Sequence, residues 1–179
     1  MNDREIIKLY REGGREEAFR LLVQTYRERL YWHIRRMVLD HDDADDCLQN
    51  TFVKAWQSLD RFRGDSQLYT WLYRIATNES ITFLTKQQNR GEWADLDAAR
   101  RLSSDPWFDG DQLQLALHRA IAKLPPKQKA VFNLRYFDEM PYEQIARVLD
   151  TSEGALKASY HHAYEKVKAW VKEEIDEKY

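Results

Sequence analysis

The residues of this sequence best suited to chemistry crowd into the stretch RFRGDSQLYTWLYRIATN, residues 61 to 78. Its guanidinium groups can bind anions, and its aromatic rings offer flat apolar faces. The same stretch holds Arg63-Gly64-Asp65-Ser66, a tetrapeptide best known as a cell-adhesion signal. Two hypotheses follow: an adhesion loop, or a loop that serves the aromatic and arginine-rich helix behind it.

The rest of the chain argues against an adhesion loop. The only cysteine is Cys47, so no intramolecular disulfide can form. The N-terminal residues MNDREIIKLYREGG lack the apolar core of an export signal, and no run approaches the roughly 18 apolar residues of a membrane span. We therefore predict a reducing, cytoplasmic location without membrane insertion, and a Gly64 that frees the backbone between two helices.

Charge is mixed along the chain. The 179 residues carry 28 Lys and Arg against 30 Asp and Glu, a net charge of −2, and 43% of residues are hydrophobic, enough to build a core. Residues 1–86 carry 14 basic and 14 acidic side chains. Residues 87–112 carry 3 basic and 6 acidic side chains, and residues 113–179 carry 11 and 10. No domain is basic, so any contact with DNA must come from a local patch.

Helical periodicity runs through most of the first half. Apolar residues recur at three- and four-residue steps from Phe19 to Val38 and predict a long amphipathic helix that ends near Asp40. The predicted buried stripe of the next helix is Leu48, Phe52, Ala55 and Leu59. Val53 points the other way, and it is either an isolated exposed valine or the centre of a partner-binding patch with a polar rim.

An acidic cluster, DHDDADD, lies between these two helices at residues 40 to 46. Acidic side chains suit the first turn of a helix, whose amino end carries a partial positive charge. A metal site that includes His41 is the alternative, but the glycine and the ligand spacing of a calcium loop are missing. The cluster therefore predicts a helix start, and we expect no bound metal.

The helix behind the RGDS loop, in the run YTWLYRIATNESITFLTK, is apolar or aromatic almost all round. Such a helix is either a central core helix or one that a partner covers, and the pattern leaves both interpretations open. Residues 87 to 112 then lose the periodicity, and about 25 residues is long for a loop inside one domain. We predict an all-α protein with two small helical domains, residues 1–86 and 113–179, joined by an acidic linker over residues 87–112.

Two short helices, a tight turn and a longer helix make up most of the second half. Pro126 suits a first helical turn, Pro141 opens a further helix, and Thr151 or Ser152 can cap the last one. The apolar stripe of the last helix is Leu156, Tyr160, Ala163, Val167 and Trp170. This arrangement is typical of a helix-turn-helix, with an ordinary helical hairpin as the alternative. Short and hydrogen-bonding side chains on the outer arc favour DNA, because they can enter a major groove.

Two segments together resemble the extracytoplasmic-function (ECF) group of bacterial sigma factors, the smallest members of the sigma-70 family. DADDCLQNTFVKAWQSLDRFRGDSQLYTWLYRIATN resembles the family's region 2, and LPPKQKAVFNLRYFDEMPYEQIARVLDTSEGALKASYHHAYEKV resembles its region 4. The presence of both regions in this order makes the resemblance specific. It implies a subunit that binds core RNA polymerase and promoter DNA, has no cofactor or small-molecule substrate, and catalyses no reaction of its own.

The resemblance answers the question that the RGDS loop raises. In this family the segment that matches Phe62 to Ser66 captures an unstacked base of the minus-ten element, and the helix behind it handles the opened strand. Contacts with the extruded base offset the few kcal/mol that strand separation costs. The residues implied in minus-ten recognition and melting are Arg61, Phe62, Arg63, Gly64, Asp65, Ser66, Tyr69, Trp71, Tyr73, Arg74 and Asn78. Arg61, Arg63 and Arg74 are expected to hold phosphates, and Tyr69, Trp71 and Tyr73 to offer flat faces. The sequence leaves open which of these aromatic residues face DNA and which face the core, and it favours the edge of the core for Trp71.

The resemblance also implies partners. The outward face of the helix from Asp45 to Leu59 matches the family's surface for the clamp helices of the largest polymerase subunit. The implied contact residues are Asp46, Gln49, Asn50, Val53 and Lys54. The polymerase flap is a second expected contact, the acidic linker is expected to thread through polymerase channels, and an anti-sigma factor is expected to bury the same surfaces.

The second domain is expected to read the minus-thirty-five element as duplex, with its last helix in the major groove. The implied contact residues are Ser152, Lys157, Ala158, Ser159, His161 and His162. The sequence departs from the family at Ser159, His162 and Tyr164, where arginine is common. Fewer fixed cations make fewer phosphate contacts, so either the target sequence differs or the domain binds weakly unless polymerase tethers it.

Two other classes of function explain less of the sequence. A stand-alone helix-turn-helix regulator, whose first domain senses a ligand or dimerises, predicts tight duplex binding without polymerase. An enzyme with a metal site near His41 predicts metal-dependent activity, but the sequence offers no second cluster of convergent ligands.

Overall fold

A computed structural model describes residues 2–64, 67–91 and 111–178, and within these ranges the chain is helical and contains no strand. The helices are α1 (Asp3–Arg11), α2 (Arg15–Val38), α3 (His41–Ser58), α4 (Leu68–Asn89), α5 (Gln112–Ala122), α6 (Pro126–Tyr136), α7 (Tyr142–Leu149) and α8 (Glu153–Lys178), with a 3-10 turn over Leu59–Arg61. The predicted all-α fold class is confirmed. In the described part of the chain, no helix is both long enough and apolar enough to cross a membrane.

Polar residues and prolines set the helix starts. The side chain of Asp40 accepts a hydrogen bond from the Asp43 amide and caps α3, so the acidic cluster begins a helix, as predicted. Pro126 is the first residue of α6, where its missing N–H costs nothing. Of the two predicted caps of α8, Ser152 is the one used, because its hydroxyl accepts from the Ala155 amide at 3.2 Å.

Helices α1 to α4 form the first domain around the long helix α2. The periodic apolar residues Leu22, Leu30 and Ile34 of α2 are completely buried, as are Leu72 and Leu84 of α4. Helix α4 has no clean polar face because it is covered on two sides: α2 and α3 pack on one side, and α6 and α7 pack on another. The core interpretation of this helix is confirmed, with the second domain supplying part of the cover.

Helices α5 to α8 form the second domain, with a cluster of Ile121, Phe132, Ala163 and Val167 at its centre. The turn between α7 and α8 depends on Asp150, whose φ of 51° places it in the left-handed region. The amide of Thr151 then donates to the carbonyl of Ala146 at 3.2 Å, which closes the end of α7.

The two domains share one hydrophobic core. Val131 and Leu134 of α6 and Ile145 of α7 lie in the same buried cluster as Leu72 and Tyr73 of α4. The sequence did not predict this contact. The predicted linker also starts later in the structure, because α4 continues to Asn89 and α5 begins at Gln112; residues 92–110 of that linker lie outside the described residues.

Candidate functional site

A groove of about 580 Å³ lies between α2 and α3. Its floor is aromatic: the Phe19 ring packs edge-on against Phe52, with centroids 6.3 Å apart, and against Trp56 at 5.1 Å. Val53 lines the groove with 49% of its surface exposed. The groove combines an aromatic floor with exposed polar side chains such as Gln49, a composition also found in docking surfaces.

The five residues predicted on the outer face of α3 are all exposed: Asp46, Gln49, Asn50, Val53 and Lys54. Gln49 and Val53 line the groove, whereas the ammonium of Lys54 forms an ion pair with Glu79 of α4. The aromatic floor of the groove was not predicted from the sequence. Phe52 and Trp56 stand four residues apart on α3 and could have indicated an aromatic stripe, but Phe19 on another helix could not be placed beside them.

The loop before α4 presents its cations to solvent. Arg61 and Arg63 are exposed, and the half-buried Phe62 lies with its ring centroid 5.2 Å from that of Trp71. Gly64 has a φ of 79°, and a Cβ built there meets no atom within 4 Å, so backbone conformation and not space requires glycine. Asp65 and Ser66, the other predicted residues of this loop, lie outside the described residues.

Helix α4 exposes only part of the set predicted for it. Arg74 and Asn78 are exposed, and Tyr69 and Trp71 are half-buried. The prediction that Tyr73 offers a flat face is wrong here: its exposure is 1%, and its ring lies 5.0 Å from His33 and 4.5 Å from Tyr69.

Position on the helix explains the burial of Tyr73. It follows the fully buried Leu72 and precedes Ala76 by one turn, so it belongs to the inner stripe of α4. Burial raises the pKa of the Tyr73 hydroxyl, and the nearby Asp138 carboxylate acts in the same direction. The phenol therefore stays neutral and packed.

The outer face of α4 borders a cleft of about 750 Å³ shared with α7. Trp71, Arg74 and Asn78 line one wall, and residues of α7, including Ala146 and Arg147, line the other. The Nη1 of Arg74 donates to the carbonyl oxygen of Arg147 at 3.3 Å. The residues predicted to handle an opened strand thus face the second domain.

A polar cluster also joins the two domains. The loop after α6 places Asp138 with its Oδ1 3.1 Å from Nη2 of Arg36 and its Oδ2 3.5 Å from Nδ1 of His33, both on α2. The side-chain amide of Asn133 donates to the Arg36 carbonyl at 3.2 Å. Arg36 and Asp138 lie 102 residues apart, so no local pattern in the sequence indicated this pair.

The outer face of α8 is exposed, as its sequence pattern predicted. Ser152, Lys157, Ala158, His161 and His162 are exposed, while Ser159 is half-buried and turns partly inward. Its inner stripe, with Leu156, Ala163 and Val167, is buried. Tyr142 of α7 supports the start of α8, because the Lys157 ammonium lies 5.8 Å above its ring.

A second apolar groove, of about 660 Å³, lies among α5, α6 and α8. Three large side chains on its walls are strongly exposed: Leu113 at 56%, Tyr136 at 44% and Tyr164 at 42%. Leu113 belongs to the apolar repeat of α5, yet the described residues leave it uncovered. This groove is the second candidate docking surface.

The acidic cluster at the start of α3 brings three possible metal ligands together. Atoms of His41, Asp42 and Asp45 lie within 4.8 Å of one another, and all three residues are exposed. A backbone hydrogen bond and then the Asp45 carboxylate raise the pKa of His41. His41 and Asp42 belong to the first turn of α3, where acidic residues are favoured without any ion, and Asp45 follows one turn later.

Both halves of the chain match known protein families. Residues 22–90 match the family described as Sigma-70 region 2, and residues 114–167 match the one described as Sigma-70, region 4. The first match spans most of α2 and all of α3 and α4, and the second spans most of α5 to the middle of α8. Region 2 followed by region 4 defines a transcription initiation factor of the sigma type.

Relatives cover nearly the whole chain. The ECF RNA polymerase sigma-E factors of Salmonella typhimurium and Escherichia coli are each 32% identical over 179 residues, with 93% of each chain covered. The RNA polymerase sigma-H factor of Pseudomonas aeruginosa is 30% identical over 181 residues and covers 92% of this chain and 91% of its own. The chain belongs to the ECF group of the sigma-70 family of RNA polymerase sigma factors.

Solved structures agree with the fold. The structure of CnrH in complex with the cytosolic domain of CnrY has a TM-score of 0.69 at 26% identity, over 95% of this chain and 97% of that one. The sigma factor RpoE of Bartonella quintana, in complex with the anti-sigma factor NepR, has a TM-score of 0.67 at 22% identity, over 86% and 96%, and supports the fold alone. As a sigma factor, this chain binds core RNA polymerase and promoter DNA.

Proposed function

We propose that this protein directs core RNA polymerase to a specific set of promoters through three surfaces. The α2–α3 groove holds the polymerase, the loop from Phe62 to Ser66 with α4 holds the opened minus-ten strand, and α8 reads the minus-thirty-five duplex. The observation that carries the proposal is the succession of region 2 and region 4 along one chain whose relatives cover 93% of it.

The first surface docks on the clamp helices of the largest polymerase subunit. A helix laid over the α2–α3 groove would bury the exposed half of Val53 against the aromatic floor, while Gln49 and Asn50 supply polar contacts at the border. Asp46 adds a negative charge at this edge, which favours a partner with basic residues opposite it.

The second surface captures an extruded base of the minus-ten element. Arg61 and Arg63 are exposed on either side of Phe62, so they can hold neighbouring phosphates while a base leaves the stack. Gly64 supplies a backbone conformation that other residues adopt only with strain. Trp71 and Arg74 of α4 remain candidates for the opened strand, whereas Tyr73 takes no direct part because it is buried.

The third surface reads duplex DNA, and it contains few cationic side chains. Ala158 is small enough for close approach of α8 to base edges, and His161 and His162 carry ring nitrogens that can hydrogen-bond them. Lys157 is the only lysine or arginine among the exposed residues proposed for this surface. We therefore expect the free protein to bind duplex DNA weakly. Binding should become strong only in the complex with polymerase, where the minus-ten and minus-thirty-five elements are bound at the same time.

Two further partners follow from the same surfaces. The groove beside Leu113 and Tyr136 is apolar and exposed, which suits an apolar segment of the polymerase flap. The acidic residues of 87–112 are suited to passages in polymerase that later carry nucleic acid. The family resemblance also implies an anti-sigma factor, and we propose that such a partner covers these same surfaces here.

Transcription in vitro tests the proposal. Core polymerase is assayed with and without the protein on a promoter library, and we expect transcripts from a limited set of promoters only when the protein is present. No transcript from any promoter, together with tight duplex binding by the protein alone, would instead establish a stand-alone regulator.

Two variants separate the steps of initiation. Trp71→Ala should impair strand opening more than polymerase docking, because Trp71 borders the proposed strand path and not the α2–α3 groove. Val53→Asp should impair polymerase docking more than strand opening, because Val53 lines the α2–α3 groove and not the proposed strand path. Equal effects of both variants on both steps would contradict the assignment of the two surfaces.

A further inference from the structure

We propose that Tyr10 and Arg15, on either side of the turn between α1 and α2, position the start of the minus-ten loop by holding Asp60. We name these three residues the Asp60 anchor, and by the start of the loop we mean Phe62 to Gly64. The three are positioning residues, because they act on the loop and need no contact with DNA. The inference rests on the proposed function, since it assumes that this loop captures an extruded base.

Asp60 lies where the chain enters the loop. It is the middle residue of the 3-10 turn over Leu59–Arg61, and Phe62 follows that turn directly. The side chain of Leu59 is buried, and the Phe62 amide donates to the Leu59 carbonyl at 3.1 Å. The turn therefore sets the direction in which the loop leaves α3. A shift of Asp60 would move the exposed Arg61 and the start of the loop with it.

Two side chains from a distant part of the sequence hold the Asp60 carboxylate. The Tyr10 hydroxyl donates to its Oδ1, and Nη1 of Arg15 donates to its Oδ2 at 3.5 Å. Separate donors on the two oxygens restrict both the position and the rotation of the carboxylate. The Asp60 side chain is 62% exposed, so water screens these contacts and they add little to the stability of the fold. Their effect is mainly on the geometry of the turn.

The two donors are held in place by contacts that do not involve Asp60. Nη2 of Arg15 donates to the Trp56 carbonyl at 3.2 Å, and the guanidinium lies 4.3 Å from the centre of the Trp56 ring. The turn before Arg15 contains Gly13, whose φ of 95° lies in the range that favours glycine. Across this turn the Arg15 guanidinium lies 6.0 Å from the centre of the Tyr10 ring. The anchor thus joins α1, α2 and the end of α3 at the base of the loop.

The test uses the complex of core polymerase and the whole chain on a promoter from which it initiates, with 2-aminopurine in the minus-ten element to report strand opening by fluorescence. Tyr10→Phe removes only the hydroxyl that holds Asp60, and Asp60→Ala removes both contacts. We expect opening to be about threefold slower for Tyr10→Phe and about fivefold slower for Asp60→Ala, because exposed polar pairs are individually weak. The affinity for core polymerase should not change, since neither residue lines the α2–α3 groove.

Tyr26→Phe is the matched control. The Tyr26 hydroxyl donates to the Asp3 carboxylate, so it also ties α1 to the rest of the domain but does not reach the loop. This variant should open the promoter like the wild type. A double variant gives a second readout, because Tyr10 acts through Asp60: Tyr10→Phe combined with Asp60→Ala should open no more slowly than Asp60→Ala alone.

The outcomes separate the positioning role from the proposed function. Wild-type rates of opening in Tyr10→Phe and Asp60→Ala would overturn the anchor while the proposed function stands. An equal loss in Tyr26→Phe, or losses that add in the double variant, would overturn it too, because they would indicate general destabilisation of α1. Slower opening that is matched by weaker polymerase binding would place the effect in docking and also overturn the anchor. Failure of the wild type to open any promoter would instead overturn the proposed function.

Discussion

Val53→Asp gives the sharpest prediction for the polymerase-binding groove. The Val53 side chain is 49% exposed, and full burial of a valine contributes roughly 1.5–3 kcal/mol, so docking over the exposed half is worth about 1 kcal/mol. An aspartate at this position must also lose its hydration against the aromatic floor, which costs about 2 kcal/mol or more without a partner. A total of about 3 kcal/mol weakens binding to core polymerase by roughly 150-fold.

Biolayer interferometry with immobilised core polymerase measures this loss. The variant should fold like the wild type, because the changed side chain lies on the surface and makes no contact in the buried core. Gln24→Asp is the matched control, since it places the same charge at an exposed site of α2 that does not line the groove. Less than a threefold loss for Val53→Asp, or an equal loss for both variants, would refute the docking assignment.

Three further predictions concern single residues. Gly64→Val should reduce promoter opening, measured by permanganate footprinting, while the affinity for polymerase stays unchanged. The reason is that a φ of 79° strains a β-branched residue by about 1–2 kcal/mol. Unchanged promoter opening would contradict this prediction. Burial raises the pKa of the Cys47 thiol to about 12, so iodoacetamide at pH 8 should label it only after denaturation; rapid labelling of the folded protein would be the opposing result. Burial, and then the Arg36 charge, lower the pKa of His118 from its ordinary value of 6.5. The free energy of unfolding, measured in urea, should therefore fall as the pH drops below 6.5. The variant His118→Phe should make this free energy depend less on pH. The sign follows because the unfolded chain takes up the proton first as pH falls, and an unchanged pH profile in the variant would show that another group is responsible.

The sequence predicted those features that local patterns control. The stripe from Leu156 to Val167 placed the inner face of α8 correctly, and with it the exposed arc of the helix-turn-helix. The exposed position of Val53 followed from the same reasoning, because a helix of known phase has only one inward face. Proline and polar caps likewise marked the starts of α3 and α6.

The features that the sequence did not predict depend on contacts between distant segments. Helix α4 is apolar on every side, so periodicity could not decide that Tyr73 points inward while Arg74 points outward. The apolar face of α7 could equally have been buried within its own domain, and nothing local indicated that Ile145 would pack with α4. The pairing of Arg36 with Asp138 crosses 102 residues and belongs to this class.

The central claim is that the loop around Gly64 holds an extruded base of the opened minus-ten strand. A photo-crosslinking amino acid in place of the exposed Arg63 tests it most directly in the complex of polymerase, protein and promoter. We predict a crosslink to one unpaired base of the minus-ten element, which appears only after strand opening. A crosslink that forms equally on closed duplex, or that reaches polymerase alone, would contradict the claim.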